Sequence, residues 1–284
     1  MKNISTIKEF RKWRKNISGT IGFVPTMGAL HEGHLSLVSK SNKTCEHTIV
    51  SIYINPTQFA KGEDLDTYPQ MVRADLDKLS QFEADCVFLP DNSEMYPNEI
   101  ITSNYNSDLF KILEGKSRPS FFKGVTTIVA KLFDIIEPTH AFFGEKDYQQ
   151  FTIIKQMVSD LDIPIQIVPC PIIREENGLA MSSRNKYLTE YEFSVVATIF
   201  KALECGKNIL KAGEIHADKL KREITQIINS ESAFQIDYVS VSNRNTLKEI
   251  DGELEGEILV SIAVFLGKTR LIDNFTYSLS EEHI

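Results

Sequence analysis

Five short apolar runs, alternating with stretches of helical spacing, decide what this chain can fold into. They are Ile21 to Val24, Thr48 to Ile54, Ala84 to Leu89, His140 to Phe143 and Ile163 to Val168. Runs of this kind, rich in β-branched residues and bounded by turn residues, read as strands buried on both faces. The intervening stretches place apolar residues three and four apart, as in Val129, Leu132 and Phe133 of a segment leading to about Ile136. Strands alternating with helices imply parallel pairing through right-handed crossovers. The expected fold class is α/β, a doubly wound parallel sheet. Near Pro171 the pattern changes: helices at about 189–211 and 216–229 precede apolar strands at 235–241, 257–266 and near 270–277. That order describes a smaller α+β segment with its own core. The expected domains are 1–175 and 176–284.

Elsewhere, residues 6–17 read as a helix with Ile7, Phe10 and Trp13 on one face and Thr6 with Glu9 as a capping box, ended by Gly19. Residues 64–82 contain another helix. Residues 91–107 are a polar, turn-rich excursion, and Asp108 to Leu113 a short helix. No internal repeat or low-complexity tract interrupts this order.

The first strand leads into the stretch that carries most chemistry, Val-Pro-Thr-Met-Gly-Ala-Leu-His-Glu-Gly-His over residues 24–34. Pro25 and Gly28 break the strand, and a helical pattern starts from His34, with Leu37 and Val38 following it. The imidazoles of His31 and His34 thus fall in the loop and first turn of a helix after a parallel strand. Such places bind phosphates, because unpaired helix N–H groups and the positive end of the helix dipole point outward. Gly33 permits close approach of a ligand to the backbone. Surface histidines or half of a metal site remain alternative readings of the pair. The zinc signature H-E-x-x-H does not fit, since only Gly33 separates Glu32 from His34. The second strand ends in Asn55-Pro56-Thr57-Gln58-Phe59, whose polar groups face the same crevice as the first loop.

Composition narrows the partners. A net charge of −8 argues against nonspecific binding to nucleic acid or anionic membranes. Hydrophobic residues make up 42% and charged residues 25%, the balance of a globular chain with a sizeable core. No apolar run approaches the roughly 20 residues of a membrane helix. The N-terminus, with Lys8, Arg11, Lys12, Arg14 and Lys15, lacks the apolar centre of a signal peptide, so a cytoplasmic location is expected. Cys45, Cys86, Cys170 and Cys205 lie far apart, without a CxxC pair, and are expected to be free thiols.

Four stretches together match one family. Pro25-Thr26-Met27-Gly28 with His31-Glu32-Gly33-His34, then Asn55 to Phe59, then Gly144-Glu145-Lys146-Asp147 with Gln149-Gln150, then Met181-Ser182-Ser183-Arg184-Asn185 resemble the pantothenate synthetases (pantoate–β-alanine ligases). The closing Gly267 to Asn274 also looks like that family's C-terminus, so the resemblance spans essentially the whole chain. More broadly, His-x-Gly-His with a Ser-Ser-Arg loop is similar to the HIGH and KMSKS motifs of the nucleotidylyltransferases and class I aminoacyl-tRNA synthetases. The resemblance implies a Rossmann-like sheet of that type with a C-terminal lid. It implies condensation of pantoate with β-alanine, driven by ATP and Mg²⁺, with release of AMP and pyrophosphate. The implied route is attack of the pantoate carboxylate on the α-phosphorus, giving pantoyl adenylate, which the β-alanine amine then attacks. A homodimer is expected from the family.

By the same resemblance, His31, His34 and Lys146 are the catalytic candidates, with His34 as proton donor. The ATP site is expected from Met27, Gly28, His31, Gly33, His34, Gly144, Glu145, Lys146, Asp147, Ile173, Met181, Ser182, Ser183 and Arg184. Pantoate and β-alanine are expected against Pro25, Thr26, Met27, Asn55, Gln58 and Gln150, with Met27 and Phe59 as apolar walls. Glutamines suit a hydroxy acid because a neutral amide both donates and accepts. Taken singly, Lys146 and Asp147 also read as an ordinary polar helix start, and the tripeptide Ser182 to Arg184 carries no signal. One segment departs from the family, which typically reads Ser-Arg-Pro-Gly-His-Phe-Arg-Gly where this chain has Ser117-Arg118-Pro119-Ser120-Phe121-Phe122-Lys123-Gly124. Phe121 cannot take over a histidine's role, and Lys123 lacks the bidentate geometry of arginine. Arg118 survives as a candidate phosphate contact. Two other functions fit parts of the pattern: an adenylyltransferase that forms no amide, and a nucleotide-binding relative without turnover. A glutamine pair in the pocket disfavours the first, since a phosphorylated acceptor would want Arg or Lys. The intact motif set disfavours the second.

Overall fold

The computed structural model describes residues 1–60, 62–97 and 105–279. The chain forms two compact units, one of Met1–Glu145 with Gln149–Pro171 and one of Lys146–Tyr148 with Ile172–Ile284. The division of the main chain therefore comes at Pro171, four residues before the expected 175, and Lys146–Tyr148 group with the later residues.

The first unit runs β1 (Lys2–Ile4), α1 (Ile7–Arg14), β2 (Ile21–Thr26), α2 (Glu32–Thr44), β3 (His47–Ile52), α3 (Val72–Gln81) and β4 (Cys86–Phe88). Single-turn helices α4 (Asn92–Met95) and α5 (Glu114–Ser117) precede α6 (Phe121–Ile136), β5 (His140–Gly144), α7 (Tyr148–Asp160) and β6 (Gln166–Cys170). Of the polar excursion expected over 91–107, residues 98–104 lie outside the described residues. The six strands form one sheet in the order β1-β4-β3-β2-β5-β6, every pair parallel. Chain order reverses between β2 and β5, so the segments leaving their carboxyl ends flank the switch point, where open α/β sheets hold ligands. The apolar runs explain the double winding. Phe23 meets Phe133 of α6 edge-on at 6.3 Å, while its neighbour Val24 packs in a cluster with Leu35 and Val38 of α2. Successive strand residues point to opposite faces, and both faces of β2 need a helix.

The edge strand β1 was not expected from sequence. It has three residues and one buried side chain, Ile4, too little for any periodicity, and exists because β4 offers it a ladder. The fifth strand begins at Gln166, later than the expected Ile163, because Asp162 at φ 50° turns the chain after α7. Burial pushes the Cys86 thiol up to about 12 and Cys170 to about 11, so both are inert packing groups.

The second unit contains α8 (Glu190–Val195), α9 (Ala197–Lys211), α10 (Ala217–Asn229) and the antiparallel meander β7 (Phe234–Asn243), β8 (Glu257–Leu266) and β9 (Thr269–Ser278). The long helix expected over 189–211 is two helices. Thr189 and Glu192 close a capping box that starts α8, and the axis breaks near Val196. Leu220, Ile224 and Ile228 recur at helical spacing on α10 and pack with β8 residues Ile258, Val260, Ile262 and Val264.

One contact in the first unit tests how tightly the elements are fitted. A Cβ built on Gly124 of α6 would land on the Thr57 carbonyl, whereas one on Gly144 meets nothing within 4 Å. Gly124→Ala is expected to lower stability by about 1–3 kcal/mol in urea unfolding. Gly144→Ala should remain within about 0.5 kcal/mol of the parent.

Candidate functional site

In the first unit the turn after β2 is built around two successive residues at positive φ, Gly28 (84°) and Ala29 (50°). The left-handed conformation costs a non-glycine residue about 1 kcal/mol or more. It also turns the amides of Ala29 and Leu30 inward. Both donate to Asp75 of α3, at 2.8 Å each, and the Asp75 carboxylate is 1% exposed. Thr26 Oγ accepts from Gly28 N at 3.2 Å and donates to Ser51 O at 2.8 Å, tying the turn to β3. Asp75 was not anticipated. Its signal was present in the sequence, since an acid four residues before Leu79 and seven before Phe82 occupies the apolar phase of α3.

This turn delivers His31 to the N-cap of α2. His31 Nδ1 accepts from Gly33 N at 3.1 Å, and His34 Nδ1 accepts from His31 N at 3.4 Å, a capping box made by two imidazoles. An Nδ1 that accepts carries no proton, so each neutral ring bears its proton on Nε2 and is a donor there. The rings lie 4.1 Å apart between centroids. Gly33 thus has a second use besides ligand approach, as the amide that fixes the His31 tautomer.

The turn after β3 supplies the neutral polar groups. Asn55 is 1% exposed and caps the short helix Pro56–Gln58. Its amide donates to Gln58 Oε1 at 3.1 Å and Gly124 O at 3.2 Å, and its Oδ1 accepts from Tyr96 Oη at 2.9 Å and from Thr57. Burial raises the Tyr96 phenol, which keeps it a donor to that oxygen. Both Asn55 protons are therefore directed at protein acceptors, Gln58 Oε1 and Gly124 O. Gln58 Nε2 lies 3.3 Å from Met27 Sδ, which by count leaves one proton and one Oε1 lone pair of its amide uncommitted among the described residues. The adjacent glutamines after β5 also separate. Gln149 bonds Glu114 N and the carbonyls of Leu109 and Ile112, and so holds residues 109–114, while Gln150 is half-buried beside it.

Arg118, expected to offer its fork to phosphate, has that fork on Glu63 instead, at 2.6 Å through both Nε and Nη2. Nη2 also donates to Gln58 O at 3.2 Å, and the guanidinium lies 3.8 Å over the Phe121 ring. The Phe121 ring thus supplies a flat face under Arg118. Lys123 is exposed.

In the second unit, Lys146 Nζ is 3.8 Å from Asp147 Oδ1, on the single turn Glu145–Asp147 that follows Gly144. Asn274 Nδ2 donates to Lys146 O at 2.8 Å. Residues 174–180 form a closed turn: Arg174 and Ala180 make an antiparallel bridge, and Met181 N donates to Ile173 O at 2.9 Å. Gly178, at φ 89°, abuts the Phe200 ring so closely that no Cβ would fit. Ser182 caps the short helix Ser183–Tyr187 by accepting from Arg184 N at 3.3 Å. Burial pushes the Asp273 carboxyl up, while the Arg174 fork pulls it the other way. Among the described residues, no group of three or more His, Cys, Asp or Glu is gathered to hold a metal ion, and no helix is long and apolar enough to cross a membrane.

The geometry predicts that Asp75→Asn, which offers one acceptor where two are needed, weakens the turn. Charged hydrogen bonds contribute roughly 1.5–3 kcal/mol, so amide exchange at Ala29 and Leu30 should accelerate at least about tenfold. Unchanged protection at both amides would exclude the role.

Comparison with known proteins shows the family and the fold. The sequence profile of the pantoate–β-alanine ligases matches residues 2–276. A pantothenate synthetase of Acetivibrio thermocellus is 47% identical over 274 residues, covering 96% of this chain and 97% of the relative. One from Pseudothermotoga lettingae is 44% identical over 275 residues, covering 96% and 97%. The crystal structure of the Thermus thermophilus pantothenate synthetase superposes with a TM-score of 0.92 at 35% identity, covering 97% of this chain and 99% of that one. A Francisella tularensis pantoate–β-alanine ligase, solved with β-γ ATP and β-alanine, superposes at 0.79 with 36% identity, covering 97% of each chain. With turn, histidine pair and glutamine in place and relatives matching nearly end to end, the chain belongs to the pantoate–β-alanine ligase family.

Proposed function

We infer that this protein condenses pantoate with β-alanine at the expense of ATP, yielding pantothenate, AMP and pyrophosphate. A pantoate carboxylate oxygen attacks the α-phosphorus, and the bond from that phosphorus to the bridging oxygen breaks, releasing pyrophosphate. The β-alanine amine then attacks the acyl carbon of pantoyl adenylate, loses a proton and expels AMP. The observation that carries this reading is the histidine pair, because two Nε2–H donors fixed at a helix N-terminus suit phosphate oxygens.

In this reading His31 and His34 donate Nε2–H hydrogen bonds to the phosphates as charge develops, and the proton-donor role of His34 is that of a hydrogen-bond donor to the departing pyrophosphate. Lys146 follows the transferring group as a point charge. Met27, Gly28, Gly33, Gly144, Glu145, Asp147 and Ile173 shape the nucleotide site, with Asp147 on the ribose hydroxyls. Met181, Ser182, Ser183 and Arg184 cover the β- and γ-phosphates, and the second unit serves as a lid. Gln58 and Gln150 bind the pantoate hydroxyl and carboxylate, with Pro25, Thr26 and Met27 against its apolar carbons. Asn55 and Arg118 act one step back, through the Gln58 side chain and carbonyl. Magnesium is taken to arrive as the ATP complex. A cytoplasmic homodimer belongs to the same proposal and rests on the family resemblance.

Pyrophosphate exchange into ATP should require pantoate and proceed without β-alanine; an absolute need for β-alanine would exclude a free adenylate. Removing one preorganised donor typically costs about 2.7–4 kcal/mol in the transition state, so His34→Ala and Lys146→Ala should each slow exchange by about 100-fold or more. Retention of half the activity would remove that residue from the mechanism. Arg118→Ala should raise the pantoate KM several-fold and leave the ATP KM within about twofold, since the Arg118 fork is committed to Glu63 and Gln58. The reverse pattern would restore Arg118 as a phosphate ligand.

A further inference from the structure

The closing motif Gly267 to Asn274 supplies none of the groups given a substrate above, yet two adjacent residues in it touch both phosphate-handling segments of the second unit. Asp273 is 2% exposed and accepts from Arg174 Nη1 at 2.6 Å and Nη2 at 3.0 Å. Nη1 also donates to Gly178 O at 3.0 Å, and the guanidinium lies 4.7 Å from the Phe200 ring centroid. One fork therefore fixes the first residue of the turn, its glycine corner and the ring beneath it. Met181 to Arg184 leave that turn directly. Asn274 donates its amide N–H to Asp273 Oδ1 at 2.8 Å and its Nδ2 to Lys146 O at 2.8 Å.

We infer that Asp273 and Asn274 are positioning residues of the adenylation step: Asp273 aims the turn presenting Ser182 to Arg184, and Asn274 fixes the backbone from which Lys146 projects. The inference rests on the proposed phosphate roles of those residues. Glu145–Asp147 is a single turn between β5 and α7, and Asn274 Nδ2 adds to it a side-chain bond on the carbonyl of Lys146 itself. A long, flexible lysine is only as well placed as the backbone that carries it. Displacing a catalytic group by about 1 Å costs about a hundredfold in rate. A buried ion pair, by contrast, contributes little net stability relative to apolar packing. What the Arg174–Asp273 fork supplies is direction, through two parallel bonds of fixed geometry. Because the residues are adjacent on β9, a shift of that strand moves both segments together.

The test uses the full-length protein and pantoate-dependent pyrophosphate exchange. Asn274→Ala removes the donor, and Asn274→Leu removes it while keeping a γ-branched side chain of similar size. Both should lower the exchange kcat at least tenfold with the pantoate KM within about twofold, although thermal unfolding remains cooperative. Arg174→Lys keeps the charge and loses one arm of the fork; it should lower exchange several-fold, and it carries the test should the Asn274 variants not fold. Recovery of exchange in Asn274→Leu would make Asn274 a packing residue and overturn its part. Parental exchange in folded Asn274→Ala and Arg174→Lys would overturn the whole. Lys146→Ala separates the two levels. If that variant exchanges like the parent, the phosphate role of Lys146 fails; if it is inactive while the Asn274 variants are not, the positioning role alone fails.

Discussion

Between β2 and α2 the chain reverses through Gly28 and Ala29, and the two amides that this reversal turns inward are both satisfied by the carboxylate of Asp75. Much of the first unit depends on that arrangement. A sharp turn is needed for α2 to start at the carboxyl end of β2 and still pack back on the sheet. Buried amides without partners would cost more than the turn could bear, and water cannot reach them. A carboxylate with an oxygen for each amide resolves the conflict, and His31 then falls at the N-cap. The imidazole pair is thereby locked in one tautomer before any ligand arrives. Preorganisation of this kind removes the reorganisation that would otherwise be needed during reaction.

A similar division of labour recurs around the other polar side chains. Asn55, Gln149, Arg118 and Asp273 have their main hydrogen-bonding groups directed at the protein itself. Each fixes a neighbour with capacity to spare or a backbone segment that carries one. Gln58 shows the consequence, being held by Asn55 on its side chain and by Arg118 on its carbonyl. Phe121 fits this pattern. Its aromatic face lies under the Arg118 guanidinium, while the Glu63 carboxylate determines where the fork points.

Fold class and family were legible along the chain. Buried strands read directly from apolar runs such as Ile21 to Val24 and Thr48 to Ile54, because a strand covered on both faces admits few polar residues. Parallel pairing followed from the alternation with helices, and family membership from motifs such as His31 to His34 in their order along the chain. Tertiary structure alone decided which member of each polar pair does what. Gln149 and Gln150 are identical in type and adjacent in sequence, yet only the packing of residues 109–114 makes the first a brace. Arg118 looked like a phosphate ligand because a fork suits phosphate, but its partner Glu63 lies 55 residues away, beyond the reach of any local pattern. Asp75, Asp273 and the edge strand β1 were decided the same way, by partners distant in the chain. Local sequence records a side chain's capacity to bond, and only the folded chain brings up the group that uses it.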